Sequence, residues 1–175
     1  MAALRKMLGS VQEEGVVALM RLIETQSKQT LAKWAAEYVE EHYLPILRKR
    51  EIEDTRLTEA IVTVKKCIRK EIPLKEARKI FAEARKAGQE ITEHPAAQAA
   101  ARAIGTACAV LLTPTNALGF VFYGAAACAY EAAGLKETAE TYDQLASEEI
   151  KRILASLQAA AVPDEENPVK VDWNC

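Results

Sequence analysis

Gly119 and Gly124 have the glycine spacing of a phosphate-binding loop, yet Ala125 and Ala126 stand where lysine and serine or threonine are required. Without a lysine for the phosphates and a hydroxyl for magnesium, the motif has no chemistry. These glycines, with Gly105, are read as helix-packing positions. No Gly-x-Ser-x-Gly elbow is present and no serine has a histidine near it in sequence, so covalent hydrolysis is not expected. Glu37 and Glu41 lie four residues apart on one helix face, with His42 beside them. No second helix offers further metal ligands, and His94 precedes Pro95 at a cap or loop. We read a surface carboxylate pair and a partly buried histidine, and assign no catalytic, cofactor or metal site.

The four cysteines, Cys67, Cys108, Cys128 and Cys175, are too few and too scattered for a disulfide framework or paired zinc knuckles. Reduced thiols are expected. If the chain folds back at 114–115, a rise of ~1.5 Å per residue offsets Cys108 from Cys128 by roughly 10 Å. A disulfide needs Cα atoms within about 7 Å.

Positions 65–86 hold nine basic residues, Lys65, Lys66, Arg69, Lys70, Lys75, Arg78, Lys79, Arg85 and Lys86, against Glu71, Glu76 and Glu83. The cluster could meet nucleic-acid phosphates, but it matches no arginine-rich recognition helix and is read as solvated helix faces. The balancing acids are Glu37, Glu40, Glu41, Glu51, Glu53 and Asp54, and again positions 137–149. Charged regions of both signs suit a protein partner. The net charge of −2 points to neither a strongly basic binder nor an acidic tail.

The elements that must carry these residues are helices. Apolar residues return every three or four positions and strand signals are almost absent. Ser10 with Glu13 fits a capping box for a first helix bearing Val16, Leu19, Met20 and Ile23. A second starts near Ser27, with Leu31, Trp34, Ala35, Tyr38 and His42 on one face, and Pro45 kinks or ends it. Asp54 caps a third facing inward with Leu57, Ile61, Val64 and Ile68, and Pro73 opens a fourth with Leu74, Ala77, Ile80, Phe81, Ala84 and Ile91. A fifth runs from His94-Pro95 to about Leu112 and a sixth from about Thr115 to Ala133, stopped by Gly134. A seventh spans Leu135 to about Ala160, with Tyr142, Ala146, Ile150, Ile153 and Leu157 inward.

The fold class expected is all-α, with about seven helices in an antiparallel bundle or short α-solenoid, the bundle favoured because no repeat is visible. The domain layout is one helical domain over 1–162 and an irregular tail over 163–175. Ala103 to Tyr130 has no charge over 28 positions, but Thr113-Pro114-Thr115-Asn116 divides it into pieces shorter than the ~20 residues of a membrane span. It is read as a buried, alanine-rich hairpin at the centre of the core. No secretory signal core is visible at the N-terminus, so the expected location is cytoplasmic.

The run Trp34-Ala35-Ala36-Glu37 through Glu41-His42-Tyr43-Leu44-Pro45, then Glu59-Ala60-Ile61 and Lys70-Glu71-Ile72, resembles a family of bacterial immunity proteins of polymorphic toxin systems. The likeness continues through Glu76-Ala77-Arg78, Ala99-Ala100-Ala101-Arg102-Ala103 and Ala117-Leu118-Gly119, covering roughly 31–133. It implies a small helical, non-enzymatic protein that binds and blocks a toxin encoded beside it. Tyr38 stands at a usual cysteine, Cys67 at a usual tryptophan, and Leu112 and Asn116 at positions where relatives tend to have histidine, while His42 and Arg102 are retained.

The function expected is binding and neutralisation of a cognate toxin, with Glu37, Glu40, Glu41 and His42 as the partner-binding residues. No cofactor and no membrane partner are expected, nucleic acid is not the favoured partner, and self-association stays open. The alternatives are a nucleic-acid-associated regulator using 65–86 and an enzyme with a site in the helical core.

Overall fold

In the computed structural model, which describes residues 3–174, eight α-helices are formed: α1 Glu14–Ile23, α2 Lys28–His42, α3 Leu44–Arg48, α4 Thr55–Ile68, α5 Leu74–Glu90, α6 Pro95–Cys108, α7 Asn116–Ala133 and α8 Ala139–Ala160. A single 3-10 turn, Ala109–Leu111, finishes α6. The all-helical class read from the sequence is the class observed.

Four helices begin on a side chain that satisfies an otherwise orphaned amide. Ser27 Oγ accepts from the Thr30 amide (3.2 Å), Asp54 from Arg56 (3.0 Å), His94 Nδ1 from Ala96 (3.0 Å) and Thr138 Oγ1 from Thr141 (3.1 Å). The expected capping box at Ser10 and Glu13 does not form. Ser10 Oγ accepts from the Gln12 amide at 3.2 Å in a turn, and α1 starts only after Glu13. Glu13 is drawn elsewhere, accepting from the Ser147 hydroxyl at 2.9 Å.

The second helix breaks where Pro45 requires it, but the break reassigns the inward position. α2 ends at His42, Tyr43 serves as its C-cap and the N-cap of α3, and the Tyr43 ring turns into the core with 0% exposure. His42, expected inward and partly buried, is instead exposed at the helix end. Its side chain is 44% accessible and lies over the Tyr38 ring with centroids 4.2 Å apart.

α6 is the central element, packed against α2, α3, α4, α5 and α7, and almost every residue on it is buried. α5 runs antiparallel to it. Gly88 of α5 faces Arg102 of α6 while Gly105 of α6 faces Ala84 and Arg85 of α5, so numbers fall on one helix as they rise on the other. Added Cβ atoms there would meet backbone at 3.1 Å, which is why glycine serves. α8 closes the bundle antiparallel to α2, with Trp34 Nε1 donating to Ser156 Oγ (2.8 Å) and Tyr38 Oη donating to Glu149 Oε2 (3.0 Å).

Two non-helical segments strap the bundle. The N-terminal arm is held by the Leu8 amide on the Phe122 carbonyl (3.1 Å), by the Tyr130 hydroxyl on the Arg5 carbonyl (2.6 Å) and by an Arg5–Asp143 ion pair. After α8 the chain returns past α2. The Val169 amide donates to the Gln26 carbonyl (2.9 Å), and Glu165 accepts from the Ser27 amide (2.9 Å) and the Thr30 hydroxyl (2.7 Å).

The glycines of α7 differ from one another. A Cβ on Gly124 would fall 2.1 Å from Tyr43 Oη, whereas one on Gly119 meets only Thr106 Cγ2 at 3.3 Å and Asn116 Oδ1 at 4.0 Å. Gly119 is half-buried, facing Thr106 of α6 on one side and a surface groove on the other, whereas Gly124 is pressed into the core. Gly124→Ala should lower the unfolding free energy in urea by about 1–3 kcal/mol because the Tyr43 ring must be displaced. Gly119→Ala should stay within about 1 kcal/mol of the native protein. Equal losses at both positions would contradict this packing.

Candidate functional site

α2 carries the face on which the sequence concentrates acid. Glu37 and Glu41 are exposed one turn apart, and Glu41 lies 3.8 Å from His42 Nε2. Glu40, half-buried between α2 and α4, is bridged by Lys65 Nζ at 3.0 and 3.1 Å. Lys65 opens the basic segment, so the acidic and basic regions meet at this pair. Arg69 is likewise neutralised locally by Glu71 at 2.8 Å. Lys70, Lys75, Arg78, Lys79, Arg85 and Lys86 are exposed.

The polar cluster that sequence reading passed over lies beneath this face. Glu149 on α8 has 2% exposure and receives three donors: Tyr43 Oη at 2.5 Å, Tyr38 Oη at 3.0 Å and Arg152 Nε at 2.9 Å. A carboxylate removed from water needs such donors to offset its desolvation. Its position was detectable. Glu149 falls three residues after Ala146 and seven after Tyr142, on the stripe that α8 buries.

The groups around Glu149 are held in their protonated forms. Burial, with the Glu149 charge adding to it, pushes the hydroxyls of Tyr38 and Tyr43 well above their ordinary 10.0 and does the same to the Cys128 thiol. Burial alone accounts for most of the rise at Cys108, pushed up to about 12. On the acid side, burial and then nearby Arg50 lower His94, whose neutral Nδ1 is the cap of α6. Among the described residues, Cys67, Cys108 and Cys128 are free thiols, and no group of three or more His, Cys, Asp or Glu side chains is gathered to hold a metal ion. Cys175 lies outside the described residues. No described helix is long and apolar enough to cross a membrane.

Capped helices packed around an alanine-filled centre, with charged outer faces, place the chain in the class of small all-α bundles. The profile of the family described as "Imm-5 like putative immunity protein" matches residues 21–168, and this chain belongs to that family. The match extends beyond the 31–133 stretch that carries the visible likeness, from the last turn of α1 through all of α8 and into the returning tail. Comparison with curated proteins and with solved structures returns no match.

Two outcomes test the buried cluster. Glu149→Ala should cost about 3 kcal/mol of stability, because two tyrosine hydroxyls lose their acceptor in a dry site. The melting temperature should also fall as pH rises above about 9. The raised folded values mean that the unfolded chain releases these protons first, so stability is intact below the unfolded values and lost above them. Tyr43→Phe should make that alkaline decline shallower while lowering the neutral-pH melting temperature.

Proposed function

We propose that this chain binds one cognate toxin protein and covers its active surface, without turning over a substrate itself. The observation that carries the reading is membership of an immunity-protein family across nearly the whole chain. The exposed carboxylates of α2 support a contact surface at Glu37, Glu40 and Glu41 with His42 at its edge. Toxin domains that attack nucleic acid need a basic path for phosphate, and an acidic inhibitor both steers association and occupies that path. Glu37 and Glu41 are available at once, whereas Glu40 must be shared with Lys65 or exchanged from it. In this reading the protein acts in the cytoplasm beside its toxin, with its thiols reduced.

His42 stands exposed at the edge of the face, its ring stacked on the buried Tyr38 beneath it. The triple variant E37K/E40K/E41K should keep its helical content by circular dichroism, slow association with the toxin encoded next to this gene, and abolish protection in a co-expression assay. Undiminished protection by the triple variant would remove the acidic face from the mechanism. Lack of protection by the native protein against that neighbour would remove the immunity reading.

A further inference from the structure

On the side of the bundle formed by α5, α6 and α7, the N-terminal arm roofs a groove of about 610 Å³ lined by polar and basic side chains. Lys6 from the arm, Arg85 from α5 and Arg102 from α6 line it, and no carboxylate is among the lining residues. That is a concentration of positive charge in a chain of net charge −2.

Both of the groove's arginines are held by neutral acceptors. Of the eight arginines outside it, Arg5, Arg50, Arg56, Arg69 and Arg152 each pair with an acid. Arg85 Nη2 instead donates to Asn116 Oδ1 (3.3 Å), and Arg102 Nε donates to the Gly88 carbonyl (3.3 Å). Neutral acceptors fix both guanidinium groups without compensating their charge, leaving further N–H donors on each. Asn116 is itself fixed, its Nδ2 donating to the Ala109 carbonyl at 3.1 Å. Lys6 is placed by the arm's two anchors, the Arg5 carbonyl on Tyr130 and the Leu8 amide on Phe122.

The glycines of this region build the groove. Gly88 and Gly105 bring α5 and α6 into backbone contact, setting the two arginine-bearing faces side by side. Gly119 leaves space beside Thr106 that any larger side chain would enter.

We propose that this groove binds a small molecule carrying a di- or polyphosphate group, the phosphates lying against Lys6, Arg85 and Arg102 and the rest of the molecule along Tyr123 and Met7. Three cations match a group of more than one negative charge, and guanidinium forks match phosphate oxygens in geometry. The volume lies within the ~300–1,000 Å³ typical of small-molecule sites. The site stands apart from the acidic face of α2 and does not depend on toxin binding.

Calorimetric titration with pyrophosphate, at about 0.15 M salt where exposed charges are screened beyond ~8 Å, tests the assignment. Saturable binding is expected, weakened at least about tenfold in R85Q and in K6Q, since each loses a charge-assisted contact. Both substitutions fall on exposed side chains and leave the helical core unchanged. Gly119→Leu, checked for native helicity, should abolish binding by filling the groove. K79Q, on the same basic segment but outside the lining, should bind as the native protein does. ATP in place of pyrophosphate tells whether the phosphates are preferred free or carried on a nucleoside, and saturable binding of either supports the site. No saturable binding of either probe, equal affinity for citrate, or a loss in K79Q matching that in R85Q would overturn it.

Discussion

The Tyr43 side chain is the constraint from which much of the bundle's arrangement follows. Its ring fills the space that any Cβ at position 124 would need, and its hydroxyl reaches the buried Glu149 at 2.5 Å. One residue therefore joins the α2–α3 break, the middle of α7 and the inner face of α8. Pro45 makes this possible by ending the regular course of α2, so that Tyr43 rather than His42 enters the core. Three donors converge on Glu149, and a buried carboxylate so placed fixes one register between helices, because a slipped neighbour would leave it unpaired.

Around that junction the packing is set by small side chains. α6 is buried on nearly all sides because alanine and glycine at 96, 97, 99, 100, 101, 103, 105 and 107 let five other helices come close. Such a core contains few large side chains of its own and depends on those brought by its neighbours, Trp34 and Phe120 among them, whose ring centroids lie 5.1 Å apart. The cost of close approach is intolerance of change, since a single added methyl at 124 meets an aromatic ring.

The outer surface is organised by where ion pairs are made and where they are withheld. Glu40 with Lys65, Glu131 with Lys49 and Arg50, and Arg56 with Asp54 and Glu90 tie neighbouring helices and loops together. Glu37 and Glu41 remain exposed on α2, and the groove beside α7 keeps its cations without acids. These faces hold charge of opposite sign, so they suit different ligands. The acidic one is the surface proposed for a protein partner, and the basic one that proposed for a compact anion.

The sequence by itself determined the helical class, the boundaries at Ser27, Asp54, Pro73, Pro95 and Gly134, and the burial of the alanine-rich hairpin. Those features are local or periodic, governed by caps, proline geometry and apolar spacing. The immunity-family likeness was also legible, in the motifs around Trp34 to Pro45 and Ala99 to Ala103. Tertiary structure alone decided that Ser10 forms a turn and no cap, that His42 faces solvent, and that Glu40 is tied to Lys65. It alone separated Gly124, pressed against Tyr43, from Gly119, open to a groove. It also gathered Lys6, Arg85 and Arg102 from three segments. Each of these outcomes depends on which residue from a distant stretch of chain arrives at a given point, and spacing along a single helix carries no record of that arrival.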